Sequence, residues 1–499
     1  MTDRSVAVIG GGPAGLFTAR LLKRDDPSLD VTVYERNGTD TATFGFGVGL
    51  TEATMKNVRA ADPQAAEAIR AASWAGHDLR LRHVDGDTTR DIALHGARNL
   101  AIGRARLLEV LEELAVEVGV RIEHGRHVTA VEVDADVIVA ADGVKSATRA
   151  AVADEVGFKE VVGRGLYMWC GLGVAIHDAF FSARRSGDAL FVTHAYPYDE
   201  SHSTFLLETD DESFVAAGLD VFDAETPAGA NDDRSIALLE EVFAEDLGHH
   251  RLLTNRSRWS RFSTVSLERW STGNIVFVGD TAHTAHYTLG SGTKLALEDA
   301  IALSTALREH DGLGEAFAAY EAARRPAVER FKHLAYRSQR WWESYSLRVA
   351  ARPEQIALSY MTRAGNLTVA DFAATEPDTA AIALERLGTE PPTDPHLVDD
   401  WILAHAETFD DTRTADLVTW SEPDVWGDAA DRAVADLRTD LVHLTGPDDV
   451  LSVDARIDLA ERIKLTSNRS VFVSIPAAAR AAGAAAIAAD RCDGIQLTS

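Results

Sequence analysis

The chain has 499 residues, of which 46% are hydrophobic, enough for two or three domains with a sizeable core. Asp and Glu number 78 against 49 Lys and Arg. The resulting formal charge of −29 disfavours nucleic acid and anionic membrane surfaces as partners, although a local basic patch could still receive an anionic ligand. No apolar run reaches the roughly 18 residues of a membrane span, and no secretory signal precedes the first strand. Cys170 and Cys492 form no disulfide framework and no metal pattern, so a cytoplasmic location and no metal are expected.

In chain order, an apolar strand at 6–9 runs into Gly10-Gly11-Gly12-Pro13-Ala14-Gly15. A helix over 14–24 follows, stopping near Asp25-Asp26-Pro27, and then a strand over 31–34 closed by Glu35. This is a βαβ unit of the dinucleotide-binding type. A helix over 104–118 carries Leu107, Leu108, Leu111 and Leu114 and precedes a strand at 121–123. The apolar run 137–141 ends in Asp142-Gly143, with Ser146 and Arg149 one helical turn further on. From 163 to 265 the pattern changes to strands, at 167–172, 189–196 and 203–208, as expected of an inserted sheet that floors a substrate cavity. The run 275–278 ends in Gly279-Asp280-Thr281-Ala282-His283. Leu289-Gly290-Ser291-Gly292-Thr293-Lys294 then opens a helix over 294–308, followed by a long helix over 313–345.

Residues 353–411 read as mainly helical. The segments 441–445, 454–464, 471–475, 476–489 and 494–497 alternate strand and helix, a small parallel α/β unit without a catalytic motif. The expected division is a nucleotide-binding domain at 1–162 and 266–345, an inserted sheet domain at 163–265, and a C-terminal helical and small α/β region at 346–499.

Each glycine motif suits a different part of one ligand, FAD. Glycines at 10, 12 and 15 permit a tight turn, close approach to a pyrophosphate and close helix–strand packing, with Ala14 at the helix start. The helix N-terminus adds free N–H groups and a positive dipole end. Glu35 lies 20 residues past Gly15, the spacing of a carboxylate that holds ribose hydroxyls, and Arg36 either covers the adenine or is solvated. Asp280, at a strand end, can accept hydrogen bonds from a ribityl chain. The glycines before Lys294 let the next helix aim its amides at the flavin edge that carries negative charge when reduced.

The order GxGxxG, DGxxSxxR, GDxAH resembles the single-component FAD-dependent aromatic monooxygenases, built like 4-hydroxybenzoate hydroxylase, over residues 1–345. The resemblance implies a Rossmann-like FAD-binding domain with an inserted β-sheet substrate domain. It also implies that Glu35 binds the adenosine ribose, that Arg104 approaches the FAD, and that Asp280 holds ribityl and pyrophosphate. The Asp142 motif would serve both FAD and the nicotinamide nucleotide. NADH or NADPH and O2 are the implied co-substrates, and a flavin C4a-hydroperoxide the implied oxidant of an electron-rich ring.

The sequence departs from the common pattern after GDxAH. His286-Tyr287 stand where most members have two prolines, and Lys294 where they have asparagine. The run GDTAHTAHYTLGSGTKLALEDA is similar to the subgroup acting on aryl-CoA thioesters, salicylyl-CoA 5-hydroxylase and anthraniloyl-CoA monooxygenase. Phe44-Gly45-Phe46-Gly47-Val48-Gly49, Ala195-Tyr196-Pro197-Tyr198 and Ser203-Thr204-Phe205 share that likeness. His286 and Tyr287 are therefore the catalytic candidates, orienting or deprotonating a substrate hydroxyl unless they only pack the wall. Phe46, Tyr196 and His286 are the substrate-binding candidates.

For a CoA tail, cations are available at Arg80, Arg82 and Arg90 in a strand pair and at Arg184-Arg185 in an expected loop; solvated faces are the alternative reading for each. Larger subgroup members carry a fused Old-Yellow-Enzyme-like barrel, of which the C-terminal α/β unit is either a reduced relic or an unrelated module. A free aromatic acid or an indolic intermediate remains an alternative substrate, and a monomer or homodimer is expected. A flavin halogenase would need a Trp-x-Trp-x-Ile-Pro run that is absent. A geranylgeranyl-reductase-like flavoprotein would lack the hydroxylase spacing. A non-catalytic binder of this fold would not need an intact GDTAH motif.

Overall fold

A computed structural model describes residues 4–38, 46–76, 78–85, 88–95, 100–220, 229–290, 292–388, 390–409 and 412–498. Phe44, Gly45 and Ser291 lie outside the described residues. The chain forms two compact units, residues 1–80 with 97–339, and residues 81–96 with 340–499.

In the first unit one sheet runs in the order Ser271–Thr272, Ile275–Phe277, Val137–Ala140, Ser5–Ile9, Asp30–Glu35, Arg121–His124. All its pairings are parallel except that of Ser271–Thr272 with Ile275–Phe277. Val8 and Val139 are fully buried, as expected of strands covered on both faces. Helix Pro13–Asp25 begins with proline in its first turn, where the missing N–H costs nothing, and buries Leu16, Phe17, Ala19 and Leu21. It packs against helices Gly292–Glu309 and Arg104–Glu117. Each such apolar side chain contributes about 1.5–3 kcal/mol on burial. Parallel pairing sends the strands ending at Ile9, Ala140 and Phe277 out of the same sheet edge. That edge is where ligands bind in open α/β sheets.

The second sheet of this unit is antiparallel. Strand Lys159–Leu172 pairs with Ser203–Thr209, which pairs with Ala189–Pro197, which pairs with Ala179–Ser186. Strands Leu252–Leu253 and Ser260–Ser266 also pair with Lys159–Leu172. Alternation gives the sheet two distinct faces. Met168, Cys170, Phe205 and Leu207 form a core with Phe214, Leu239 and Phe243, under helices Asp211–Ala216 and Asp233–Val242. Tyr167, Trp169, His194, Tyr196 and Glu208 alternate with those core positions and so lie on the opposite face.

Two expectations need correction here. Lys159–Leu172 is one strand of 14 residues that starts before 163, bent where its register shifts between Val162 and Leu166. Arg184 and Arg185 sit within strand Ala179–Ser186 and not in a loop, because their neighbours Phe180, Phe181 and Ala183 supply a buried strand pattern.

In the second unit, strands Asp416–Thr419, Leu441–Thr445, Ser470–Pro476 and Gly494–Thr498 form a parallel sheet in chain order. The first of these had no counterpart in the sequence reading. The helix expected at 454–464 runs Val450–Thr466, because Asp449 caps it by accepting from the Ser452 N–H at 3.0 Å. The helix expected over 476–489 shortens to Arg480–Ala488 behind a 3-10 turn at Ala477–Ala479. Helices Pro353–Thr362, Val369–Thr375, Pro377–Leu384 and Val398–His405 fill the preceding stretch. No helix of the described residues is long and apolar enough to cross a membrane.

Candidate active site

Gly10 has φ +112°, and a Cβ there would lie 2.2 Å from the Ala141 carbonyl oxygen, so only glycine lets the first and second motifs approach. A Cβ on Gly15 would meet the Gly10 oxygen at 2.1 Å. A Cβ on Gly12, by contrast, would meet nothing within 4 Å. Gly12 caps helix Pro13–Asp25 without any side-chain bond, leaving the first-turn N–H groups available to an anion. Glu35 turns its carboxylate to this loop, Oε2 accepting from the Gly11 N–H and Oε1 from the Asn37 N–H, each at 2.8 Å. Arg36 is exposed.

The third motif meets the first. Gly279 has φ +58°, and a Cβ there would lie 2.9 Å from that of Ala14. Asp280 follows; its side chain reaches solvent, yet protein atoms surround the carboxyl closely enough to strip part of its hydration. Loss of hydration raises its carboxyl above the usual carboxylate range, assisted by Asp299 and opposed by Arg104 and His283. Arg104, the first residue of helix Arg104–Glu117, is thus close enough to feel Asp280 although the two are remote in sequence. Gly292 and Thr293 open helix Gly292–Glu309, just past Gly290 at φ +63°. Lys294 directs its ammonium to Glu298 at 2.7 Å, so what this position offers a ligand is its place in the first helical turn.

Asp142 acts within its own turn: it accepts from Ser146 Oγ at 2.6 Å and from the Thr148 N–H at 3.1 Å. The Gly143 N–H donates to Thr281 Oγ1 at 2.8 Å, and Arg149 Nη1 donates to the Thr281 carbonyl at 2.9 Å, tying the second motif to the third. Open space at Gly12, uncapped amides and ribose-spaced Glu35 together fit FAD.

Beneath Gly279 lies a buried network that the motif reading missed. Asp299, with no exposed side-chain surface, accepts from the Gly279 N–H at 2.9 Å, His283 Nε2 at 2.8 Å and Arg324 Nε at 2.9 Å. An ionised carboxylate only accepts, so Nε2 of His283 carries the proton. Burial works to raise Asp299, but His283 and Arg324 outweigh it and hold the group below the usual range. Asp299 lies inside the run LALEDA; an acidic residue amid buried Leu297, Ala300 and Leu303 was the available signal.

The second cluster joins the sheet face described above. Tyr287 donates to Glu208 Oε1, and Glu208 Oε2 accepts from His194 Nε2 at 2.8 Å. The Tyr287 ring lies 5.1 Å from Tyr167, 5.8 Å from Trp169 and 4.1 Å from His286. His286 is buried, with Nδ1 3.1 Å from Thr288 Oγ1, and Phe262 meets its ring edge-on at 4.8 Å. Tyr196 Oη donates to the Gly47 carbonyl at 2.7 Å, and a Cβ on Gly171 would meet the Phe46 ring at 2.5 Å. The candidates Phe46, Tyr196, His286 and Tyr287 therefore gather over one sheet face. Neither Glu208 nor His194 was foreseen.

The arginine clusters read differently in three dimensions. Arg80 pairs with Asp178 at 2.6 Å, Arg82 with Asp91 at 2.9 Å and Arg184 with the buried Asp246 at 2.7 Å, while Arg90 pairs with Glu354. Each of these four cations thus already has a carboxylate partner, while Arg185 is exposed.

Comparison with known proteins agrees with this geometry. The FAD binding domain family matches residues 3–138 and 129–335. Salicyloyl-CoA 5-hydroxylase of a Streptomyces species is 40% identical over 376 residues, covering 74% of this chain and 72% of that protein. The 3-hydroxy-4-methyl-anthranilyl-[aryl-carrier protein] 5-monooxygenase of Streptosporangium sibiricum is 38% identical over 369 residues, covering 74% of this chain and 96% of that one. The tetrameric form of 2-methyl-3-hydroxypyridine-5-carboxylic acid oxygenase shares the fold, with a TM-score of 0.56 at 20% identity over 75% of this chain and 98% of that one. On the family match and on relatives at 40% and 38% identity, the chain belongs to the FAD-dependent aromatic monooxygenases.

Proposed function

We propose that this enzyme hydroxylates an aromatic ring carrying a hydroxyl or amino group and presented as a thioester, with salicylyl-CoA and its 5-position as the best-supported case. The observation that carries the reading is that the relatives at 40% and 38% identity are named for a CoA-linked salicyloyl group and a carrier-protein-linked anthranilyl group, as a 5-hydroxylase and a 5-monooxygenase. The departure from two prolines to His286-Tyr287 supports it. The paired arginines do not add to the thioester argument, which rests on those relatives.

FAD, when bound, supplies oxygen activation at the expense of NAD(P)H and O2. The first-turn amides after Gly12 are assigned to the pyrophosphate and Glu35 to the ribose, with Gly10, Ala14 and Gly15 shaping the loop. Arg36 is assigned to the adenine side. Arg104 and Asp280 are assigned to the ribityl–pyrophosphate region, and the helix start at Gly290, Gly292, Thr293 and Lys294 to the flavin edge. Asp142 supports its turn, which serves both nucleotides. Phe46, Tyr196 and His286 bind the ring, while Tyr287 and His286 orient its electron-donating substituent. Tyr167, Trp169 and Phe262 help keep water from the reacting atoms.

The test is NAD(P)H oxidation by the purified yellow protein with salicylyl-CoA and free salicylate compared side by side, and products weighed by mass spectrometry. Stimulation with a gain of one oxygen only for the thioester supports the reading. Turnover of the free acid alone removes the thioester claim, and no response to either removes the salicyl substrate.

A further inference from the structure

A phenol has one hydrogen to donate and lone pairs to accept with. Tyr287 spends its single hydrogen on Glu208 Oε1. Glu208 is fixed from the other side by His194 Nε2 at 2.8 Å, and the two side chains are only 12% and 19% exposed. Strand pairing builds this arrangement: His194 lies opposite Leu206, one same-face position from Glu208, and Tyr167 lies opposite Glu208. The Tyr287 ring is held among Tyr167, Trp169 and Phe262, so the hydroxyl has little freedom to turn elsewhere. Burial alone would favour a protonated Glu208, which could donate. His194 first, then His286 and the Tyr287 hydroxyl, bring it below the usual carboxylate range and keep it an acceptor.

We infer that Glu208, braced by His194, is a positioning residue that makes Tyr287 an obligate hydrogen-bond acceptor toward substrate, selecting rings whose substituent donates. A hydroxyl or amino group satisfies Tyr287 Oη; a methoxy group of similar shape leaves two acceptors facing each other. Methoxy also donates electrons to a ring, so this discrimination comes from the hydrogen bond and not from ring activation. This inference rests on the aromatic-hydroxylase reading above.

The experiment uses the FAD-loaded enzyme and four ligands: salicylyl-CoA, 2-methoxybenzoyl-CoA, salicylate and 2-methoxybenzoate. Binding is followed by perturbation of flavin absorbance, and turnover by coupled NAD(P)H oxidation. Glu208→Leu and Tyr287→Phe should each reduce the hydroxyl-over-methoxy preference about tenfold, the value of one ordinary hydrogen bond. Glu208→Gln, whose carbonyl still accepts from Tyr287, should keep part of it. Because Glu208 acts through Tyr287, the double variant Glu208→Leu/Tyr287→Phe should lose no more preference than Tyr287→Phe alone. An unchanged preference in Glu208→Leu, or additive losses in the double variant, overturns the inference.

If no ligand perturbs the wild-type flavin, it is the proposed substrate class that fails. The Tyr287 13Cζ resonance of labelled holoenzyme, assigned by its disappearance in Tyr287→Phe, then reads the hydrogen bond to Glu208 on which the inference stands. A shift in Glu208→Gln supports it, and coincidence with wild type overturns it. Should Glu208→Leu not fold, Glu208→Gln with Tyr287→Phe completes the same cycle.

Discussion

Asp299→Asn is the sharpest test of how the Gly279 turn is held. The native carboxylate receives Gly279 N–H, His283 Nε2 and Arg324 Nε at 2.8–2.9 Å, with its side chain fully buried. Asparagine keeps the shape but offers one acceptor oxygen and an NH2 group, so at least one buried donor faces a donor. Arg324 retains Glu298 at 3.1 Å, which limits the loss. An unmatched buried donor costs about 1–3 kcal/mol, and breaking a buried charge pair about 3–5 kcal/mol. We expect a loss near 3 kcal/mol, a large part of the roughly 5–15 kcal/mol that ordinarily stabilises a domain.

The assay is equilibrium denaturation of the holoenzyme together with flavin content, since Gly279 must keep φ +58° against Ala14. The sign of the pH dependence follows from the depressed carboxyl of folded Asp299. Its stabilisation is complete above the unfolded carboxylate value of about 3.9 and is lost as pH falls through the lower folded value. The gap between wild type and variant should therefore be full at neutral pH and close only in strong acid. An unchanged midpoint at pH 7 with full flavin occupancy would refute the network's role.

Three further outcomes are expected. Asp280→Ala should purify with reduced flavin content, measured by the ratio of visible to ultraviolet absorbance; full occupancy would remove Asp280 from the cofactor site. His286→Pro, which restores the residue usual in the family, should lower the fraction of NAD(P)H oxidation coupled to product, read by oxygen uptake against product formed. Arg184→Ala should lower stability by about 3–5 kcal/mol, because it strands the buried Asp246, while leaving KM for a CoA thioester unchanged. A raised KM at unchanged stability would return Arg184 to the list of CoA contacts.

The geometry of the glycine motifs was legible in the sequence because its signals are local. A glycine that needs φ +112°, an apolar strand before it and a helix after it are neighbours in the chain, and Glu35 follows at the spacing that one βα crossover imposes. The same holds for Gly279-Asp280 and for strands such as Leu441–Thr445, whose bounds were read without error. That these motifs meet required only parallel pairing, which alternating strands and helices already imply.

Partnerships across long separations were not legible. Tyr287 and Glu208 are 79 residues apart, and His194 reaches Glu208 only because two antiparallel strands take one particular register. Arg80 and Arg184 read from the sequence as solvated or as phosphate-facing cations, and folding set Asp178 and Asp246 beside them. Residues 81–96, next in the chain to the FAD-binding unit, joined the C-terminal unit instead. Turn chemistry and periodicity are properties of adjacent residues, so the sequence by itself determined most of the elements and the glycine motifs. Which charge meets which, and on which face, depends on strand register and sheet order, and those only the tertiary structure decided.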